Sequence, residues 1–347
     1  MRGLRMQNDV ISLTVLIDKG ADILELTYRP KGIDVLWKSP WGLPAGAGPL
    51  PTCASAQTWL DAYPGGWQTI FPNGGDACTV EGVEYTFHGE AALAAWTLES
   101  LRTDDTSCHA RLATRLRRSP FRITKELILT AGSPALLIRE RITNEGGDPM
   151  PYMWSQHPAF GAPFLSGDCR IDTGATSVTA DDLRDGPGNP LRPGRTYVWP
   201  PAIEGQDLSL VPAEGSGRAL LGYLGGFEAG WFAITNTRLG FGVALTWPSD
   251  ALPYAWMWQE MHASPGYPWY RGVYVMAIEP ATSIPAQGLR RVMEATATHR
   301  VLEPGESAEV TLRAVFYEGS SRVAAVSPEG EVTAATSEPS PAGSRMQ

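Results

Sequence analysis

Short runs in which every second residue is apolar recur along the chain, and glycine- and proline-rich turns separate them. A period of two marks a strand with one buried face, whereas long stretches with the 3.6 period of a helix are absent. The pattern predicts strands at residues 10–17, 23–28, 35–37, 110–113, 121–129, 135–143, 219–223, 231–236, 241–246, 273–278, 290–300 and 308–317. Residues 124–129 and 136–142 flank Ala131-Gly132-Ser133-Pro134 and make a hairpin with a Gly/Pro turn. A dozen strands with almost no helix predict an all-β sandwich or barrel. The Asp-, Gly- and Pro-rich stretch 181–194 reads as a long surface loop. After Tyr317 the residues become small and polar, with disorder expected over 337–347. The expected organisation is one domain over residues 1–320 and a polar, partly disordered tail over 321–347.

Composition narrows the class. With 347 residues, 43% of them hydrophobic, the chain can bury a large core. The apolar run at 11–17 is broken by Ser12 and Thr14 and closed by Asp18, too short for a membrane span or a signal-peptide core, so a soluble cytoplasmic protein is expected. Cys53, Cys78, Cys108 and Cys169 are too widely spaced for a structural zinc site and are expected as reduced thiols. A net charge of −9 without a Lys/Arg cluster excludes a nucleic-acid partner.

Candidate chemistry concentrates where polar residues interrupt apolar, aromatic-rich segments. His157 and Glu279 each close such a segment, and each is followed by proline, Pro158 and Pro280. Proline drives the residue before it into an extended conformation and removes a ladder donor, so both side chains are expected where a sheet gives way to a loop. The segment 65–76 carries Trp67, Gln68 and Asn73 among four glycines, an arrangement that suits close approach to a ligand and equally an ordinary turn. His88, with Glu90 two residues on, lies in a second Gly-bounded aromatic context. Trp256, Trp258, Trp269 and Tyr270 crowd the approach to Glu279, as stacking platforms for a sugar or as core. His109 and His299 read as surface positions, and His262 as no more than a rim.

Taken in order, these segments resemble the aldose 1-epimerase (galactose mutarotase-like) superfamily over residues 8–320. The match rests on Lys19-Gly20-Ala21-Asp22-Ile23, residues 33–40, His88-Gly89 with Trp96, His157-Pro158 with Phe160-Gly161, Glu279-Pro280 and Leu302-Glu303-Pro304-Gly305-Glu306. The resemblance implies a large antiparallel β-sandwich, the supersandwich, with a sugar on a concave sheet face. It implies Glu279 as the base that takes the anomeric proton and His157 as the acid that protonates the ring oxygen. It implies His88 as a second polar contact to the ring, with neither metal nor organic cofactor. Glu90, Asn73, Gln68, Trp67 and Trp258 are the further candidate substrate contacts, and Trp67, Gln68 and Asn73 stand where better-known mutarotases carry an arginine-containing stretch, so hydroxyl recognition is expected to differ there. The hexose-phosphate branch would carry an arginine where Ala92 stands, so an unphosphorylated sugar is expected. Two alternatives stay open: a sugar-binding protein without catalysis, and a glycoside-cleaving enzyme drawing its second carboxylate from Asp76, Glu90, Asp250 or Glu260.

Overall fold

The computed structural model describes residues 1–43 and 54–335, so Cys53 and the stretch 337–347 lie outside the described residues. Strand alternation is realised as two large antiparallel sheets, of eleven and eight strands. At the centre of the larger sheet the order in space is Asp22–Tyr28, Trp67–Ile70, Ser155–Gly161, Tyr274–Ala281, Tyr254–Met261 and Ala219–Gly225. The hairpin expected at 124–142 forms as Phe121–Thr130 paired with Ala135–Asn144, in the smaller sheet. The fold is the antiparallel β-sandwich of the galactose mutarotase-like proteins.

The pleat sorts side chains between two destinations. Met257, Met276, Ile278 and Phe160 turn inward and meet Ile123, Leu127, Leu136 and Leu312 of the other sheet in one continuous core. Their neighbours Trp256, Trp258, Glu279 and His157 stand on the opposite face, where they line one cavity. One buried polar cluster crosses between the sheets: Glu140 accepts hydrogen bonds from Thr69 Oγ1 (2.5 Å), Gln156 Nε2 (2.6 Å) and Trp154 Nε1 (3.2 Å), with Lys125 Nζ at 3.2 Å. After the last sandwich strand, a hairpin of Val323–Val326 and Val332–Ala334 seats Val323 and Val326 on Trp231, Ala233 and Ala244.

Two sequence expectations are corrected. Residues 290–300 do not begin as a strand, because Leu289–Ala295 is helical. Leu289 and Val292, three apart, bury one side while Arg290 and Glu294 pair across the exposed side at 3.0 Å. Nor do His157 and Glu279 lie where the sheet ends, since both sit inside central strands. Ala159 donates its N–H to Gly66, and Thr282 to Trp154. By alternation, Pro158 and Pro280 each turn the position of a missing N–H toward the other's strand. Between Ser155↔Ala281 and Ala159↔Ala277 no ladder pairs form, so the prolines are tolerated at that seam.

Candidate active site

The register that pairs Ser155 with Ala281 and Ala159 with Ala277 sets His157 opposite Glu279 across the proline seam. Directly opposed residues share a face. His157 Nε2 lies 3.6 Å from Glu279 Oε1, and the residues are 5% and 3% exposed. Trp256 is the opposite neighbour of Glu279 in the next strand, and Gln68 that of His157.

Connections supply the walls. Helix Ser55–Asp61 and the residues after it bring Trp59 and Tyr63, stacked at 4.6 Å, over the pair: the Trp59 ring lies 4.6 Å from His88, and the Tyr63 ring 5.6 Å from His157. Trp258 closes the other side at 5.9 Å from His157. His88 and Gly89 form a turn at positive φ, and a side chain at Gly89 would sit 2.3 Å from the Phe71 carbonyl oxygen. Gly75 donates its N–H to His88 Nδ1 at 3.1 Å, so a neutral His88 carries its proton on Nε2 and is a donor there. These groups surround a cavity of about 450 Å³. Trp59 Nε1, Tyr63 OH, His157 Nδ1 and Glu279 Oε2 are all buried without a hydrogen-bond partner in the protein.

Burial also sets the charges. It lowers His157 to about 4, against the opposing pull of a hydrogen bond to its own backbone and with Lys19 adding to the fall, and raises Glu279 well above the ordinary carboxylate value. His88 is pushed well below 6.5 by burial, then by His157 and Arg184, and Tyr63 is raised by burial, then by Glu279 and Asp22. A weak base thus faces a reluctant carboxylate anion. Between them such a pair holds one proton, and burial favours it on Glu279.

The sequence matches the family described as a domain of unknown function, DUF4432, over residues 1–190 and 226–315, well over half of the chain. The chain belongs to the DUF4432 family. No curated protein matches it by sequence. Among solved structures it is similar to a galactose mutarotase-like protein from Clostridium acetobutylicum, 15% identical over 90% of this chain and 94% of that one, with a TM-score of 0.65. The Slr1438 protein of Synechocystis is 16% identical over 91% and 96%, with a TM-score of 0.64. A galactose mutarotase related enzyme from Lactobacillus acidophilus is 16% identical over 92% and 98%, with a TM-score of 0.60. At these identities the likeness is one of fold.

In this DUF4432 chain the cavity gathers His157, Glu279, His88 and Trp258. The other expected contacts lie elsewhere. Trp67 points into the core and donates Nε1–H to Gln156 Oε1 at 2.9 Å, and Gln68, beside His157 on the same face, is fully buried with its amide bonded to Asp22. Asn73 clasps its own loop, bonding the carbonyls of Asp76 and Thr86 and the N–H of Leu289. Glu90 accepts from the backbone of Arg117 and Arg118 and from Ser119, behind the cavity. Of the carboxylates weighed for glycoside cleavage, Glu260 reaches the cavity, but Ala263, Ser264 N–H and Ser264 Oγ occupy its oxygens.

Sequence reasoning missed Trp59, Tyr63 and Arg184. The i,i+4 spacing of the two aromatics was the available signal, weak in a helix of seven residues. Arg184 comes from the stretch read as a surface loop, which folds along the cavity edge because Asp181 anchors it. Asp181 accepts from Leu183 and Arg184 N–H, from Tyr223 OH and from Gln287 Nε2. The Arg184 guanidinium is held by Asp76 at 2.7 Å and the Ala286 carbonyl at 3.0 Å. Among the described residues, Cys78, Cys108 and Cys169 are free thiols, and no helix is long and apolar enough to cross a membrane.

Proposed function

We propose that this chain is a cofactor-independent isomerase of the aldose 1-epimerase type, interconverting the α and β anomers of an unphosphorylated sugar. One observation carries the reading: an acid–base pair stands on the floor of an aromatic-walled cavity whose own buried polar atoms, Trp59 Nε1, Tyr63 OH, His157 Nδ1 and Glu279 Oε2, lack partners. A ligand with an apolar ring face and several hydroxyls satisfies both features, stacking on Trp258 and Trp59 while filling those bonds.

With the sugar bound, ionised Glu279 takes the proton of the anomeric hydroxyl and protonated His157 gives one to the ring oxygen. The bond between C1 and the ring oxygen breaks and a carbonyl forms at C1. Rotation about C1–C2 and the reverse transfers close the ring as the other anomer. Ring opening leaves the proton on Glu279 and His157 neutral, the distribution that burial favours, so the protein offsets part of the cost of the open form. His88 Nε2–H serves a sugar hydroxyl. Arg184 is matched by Asp76 and lies near Asp181, leaving it little free charge to offset desolvation of a phosphate dianion.

The test is an NMR or polarimetric anomer-exchange screen of neutral sugars and their 6-phosphates. Glu279→Gln and His157→Asn, each of which keeps size and removes proton transfer, should lower exchange by roughly 100- to 10,000-fold with the fold intact. Wild-type turnover in either variant, or a tenfold preference for a phosphate, a difference of about 1.4 kcal/mol, contradicts the reading.

A further inference from the structure

In the strand Tyr254–Met261 the alternate side chains Trp256, Trp258 and Glu260 rise on one face, and all three line the cavity. Its pairing with Tyr274–Ala281 keeps one register throughout, from Trp256 opposite Glu279 to Glu260 opposite Val275. At about 3.3 Å per residue along the strand and about 4.8 Å across to the next, Glu260 stands about 14 Å from Glu279. Ala263 and Ser264, beyond the end of the strand, draw its carboxylate farther away still. With bonds of about 1.5 Å, a pyranose measures roughly 5–6 Å from its anomeric oxygen to the hydroxyl across the ring. Even with a hydrogen bond of about 3 Å at each end, one ring held at Glu279 falls short of Glu260. The cavity is longer than one sugar.

Its far end is built for a polar ring. Trp258 lies 5.9 Å from His157, and Trp269 is the next aromatic on the wall, 5.4 Å from Trp258. Ala219, directly opposite Glu260 on the other side, is small enough to leave the floor open. Glu260 is 2% exposed, and among the described residues its oxygens have three donors. Ala263 and Ser264 N–H both reach Oε1, at 2.8 and 2.9 Å, and Ser264 Oγ reaches Oε2 at 2.6 Å. A carboxylate accepts about four hydrogen bonds, which leaves one site on Oε2 for a ligand. We propose that this end is a second sugar subsite, with Trp269 as its stacking face and Glu260 Oε2 as the acceptor of a hydroxyl. The substrate class is then a reducing disaccharide or longer saccharide, its reducing unit on His157 and Glu279. The inference deepens the isomerase reading and rests on it. Because the carboxylate is pinned in advance, it takes the hydroxyl without reordering, and its charge rejects an acidic second unit.

Anomer exchange followed by NMR should compare glucose with maltose and cellobiose, galactose with galactobiose, xylose with xylobiose and mannose with mannobiose. At least one disaccharide is expected to exceed its own monosaccharide tenfold or more in kcat/KM. Glu260→Gln keeps an oxygen for the Ala263 and Ser264 N–H groups and replaces Oε2 by NH₂, so it should cut that preference about tenfold or more with the loop still anchored. Trp269→Ala should do the same, and serves if Glu260→Gln does not fold. No disaccharide preferred over its monosaccharide, or variants that lose equally on both, overturns the proposal. Calorimetric titration with the same pairs needs no turnover. Tighter binding of a disaccharide, lost in Glu260→Gln, by a protein that exchanges no anomers refutes the isomerase reading and leaves the subsite standing. Exchange of monosaccharides without gain from a second unit does the reverse.

Discussion

Where the shared proton rests at the His157–Glu279 pair governs how the site should respond to pH. Below the His157 value of about 4 the pair takes up a second proton and no base remains. Above the raised value of Glu279 the pair loses its only proton and no acid remains. The kcat/KM of anomer exchange should therefore be bell-shaped, with an acid limb near pH 4 and an alkaline limb displaced upward from the ordinary carboxylate range. A pH-independent rate, or an acid limb that persists in the residual activity of His157→Asn, would contradict this origin. At this scale both partners were legible, because a charged residue inside an apolar run has to be satisfied or used. The reason offered for the prolines was wrong. Their tolerance is explained only by the register, which places Pro158 and Pro280 on adjacent strands with their missing N–H positions turned into one unpaired seam. Trp67, Asn73 and Glu90 show the opposite limit: Trp67 faces the core by alternation, while Asn73 and Glu90 are taken up by backbone groups of neighbouring loops.

Among the elements, the strands were the most legible, as alternation survives in any strand with one buried face. Helix Leu289–Ala295 was not, because seven residues with two buried positions fit either period. The connection after Asp181 was rightly read as irregular, but composition says nothing about where a loop lies. Here one carboxylate folds it against the cavity. Asp181→Ala would leave the Leu183 and Arg184 N–H groups and Gln287 without that acceptor and free Arg184 to move. The expected result is a loss of about 3 kcal/mol in stability, from buried donors left unpaired, with KM raised more than kcat is lowered. Denaturant unfolding and Michaelis kinetics check both parts, and an unchanged KM would remove the loop from sugar recognition.

For the whole molecule, fold class followed from counting strands and turns, while the closure of two sheets depends on pairings such as Trp67–Ile70 with Ser155–Gly161, far apart in sequence. The Lys125–Glu140 cluster holds the sheets in that relation. Lys125→Met would strand a fully buried carboxylate and should cost about 3–5 kcal/mol, whereas Lys125→Met with Glu140→Gln should recover part of the loss, a difference measurable by urea unfolding. Equal instability of the two variants would count against the buried charge as the cause. The proline seam has a different consequence. Both members of the proposed acid–base pair are fixed to adjacent strands of a continuous sheet, and apart from Trp258 the walls proposed to meet the rest of the sugar are lent by separate connections. Chemistry and selectivity are therefore independently heritable: grafting another 181–186 segment or another Ser55–Tyr63 turn should redirect substrate choice while the isomerisation step is passed on intact.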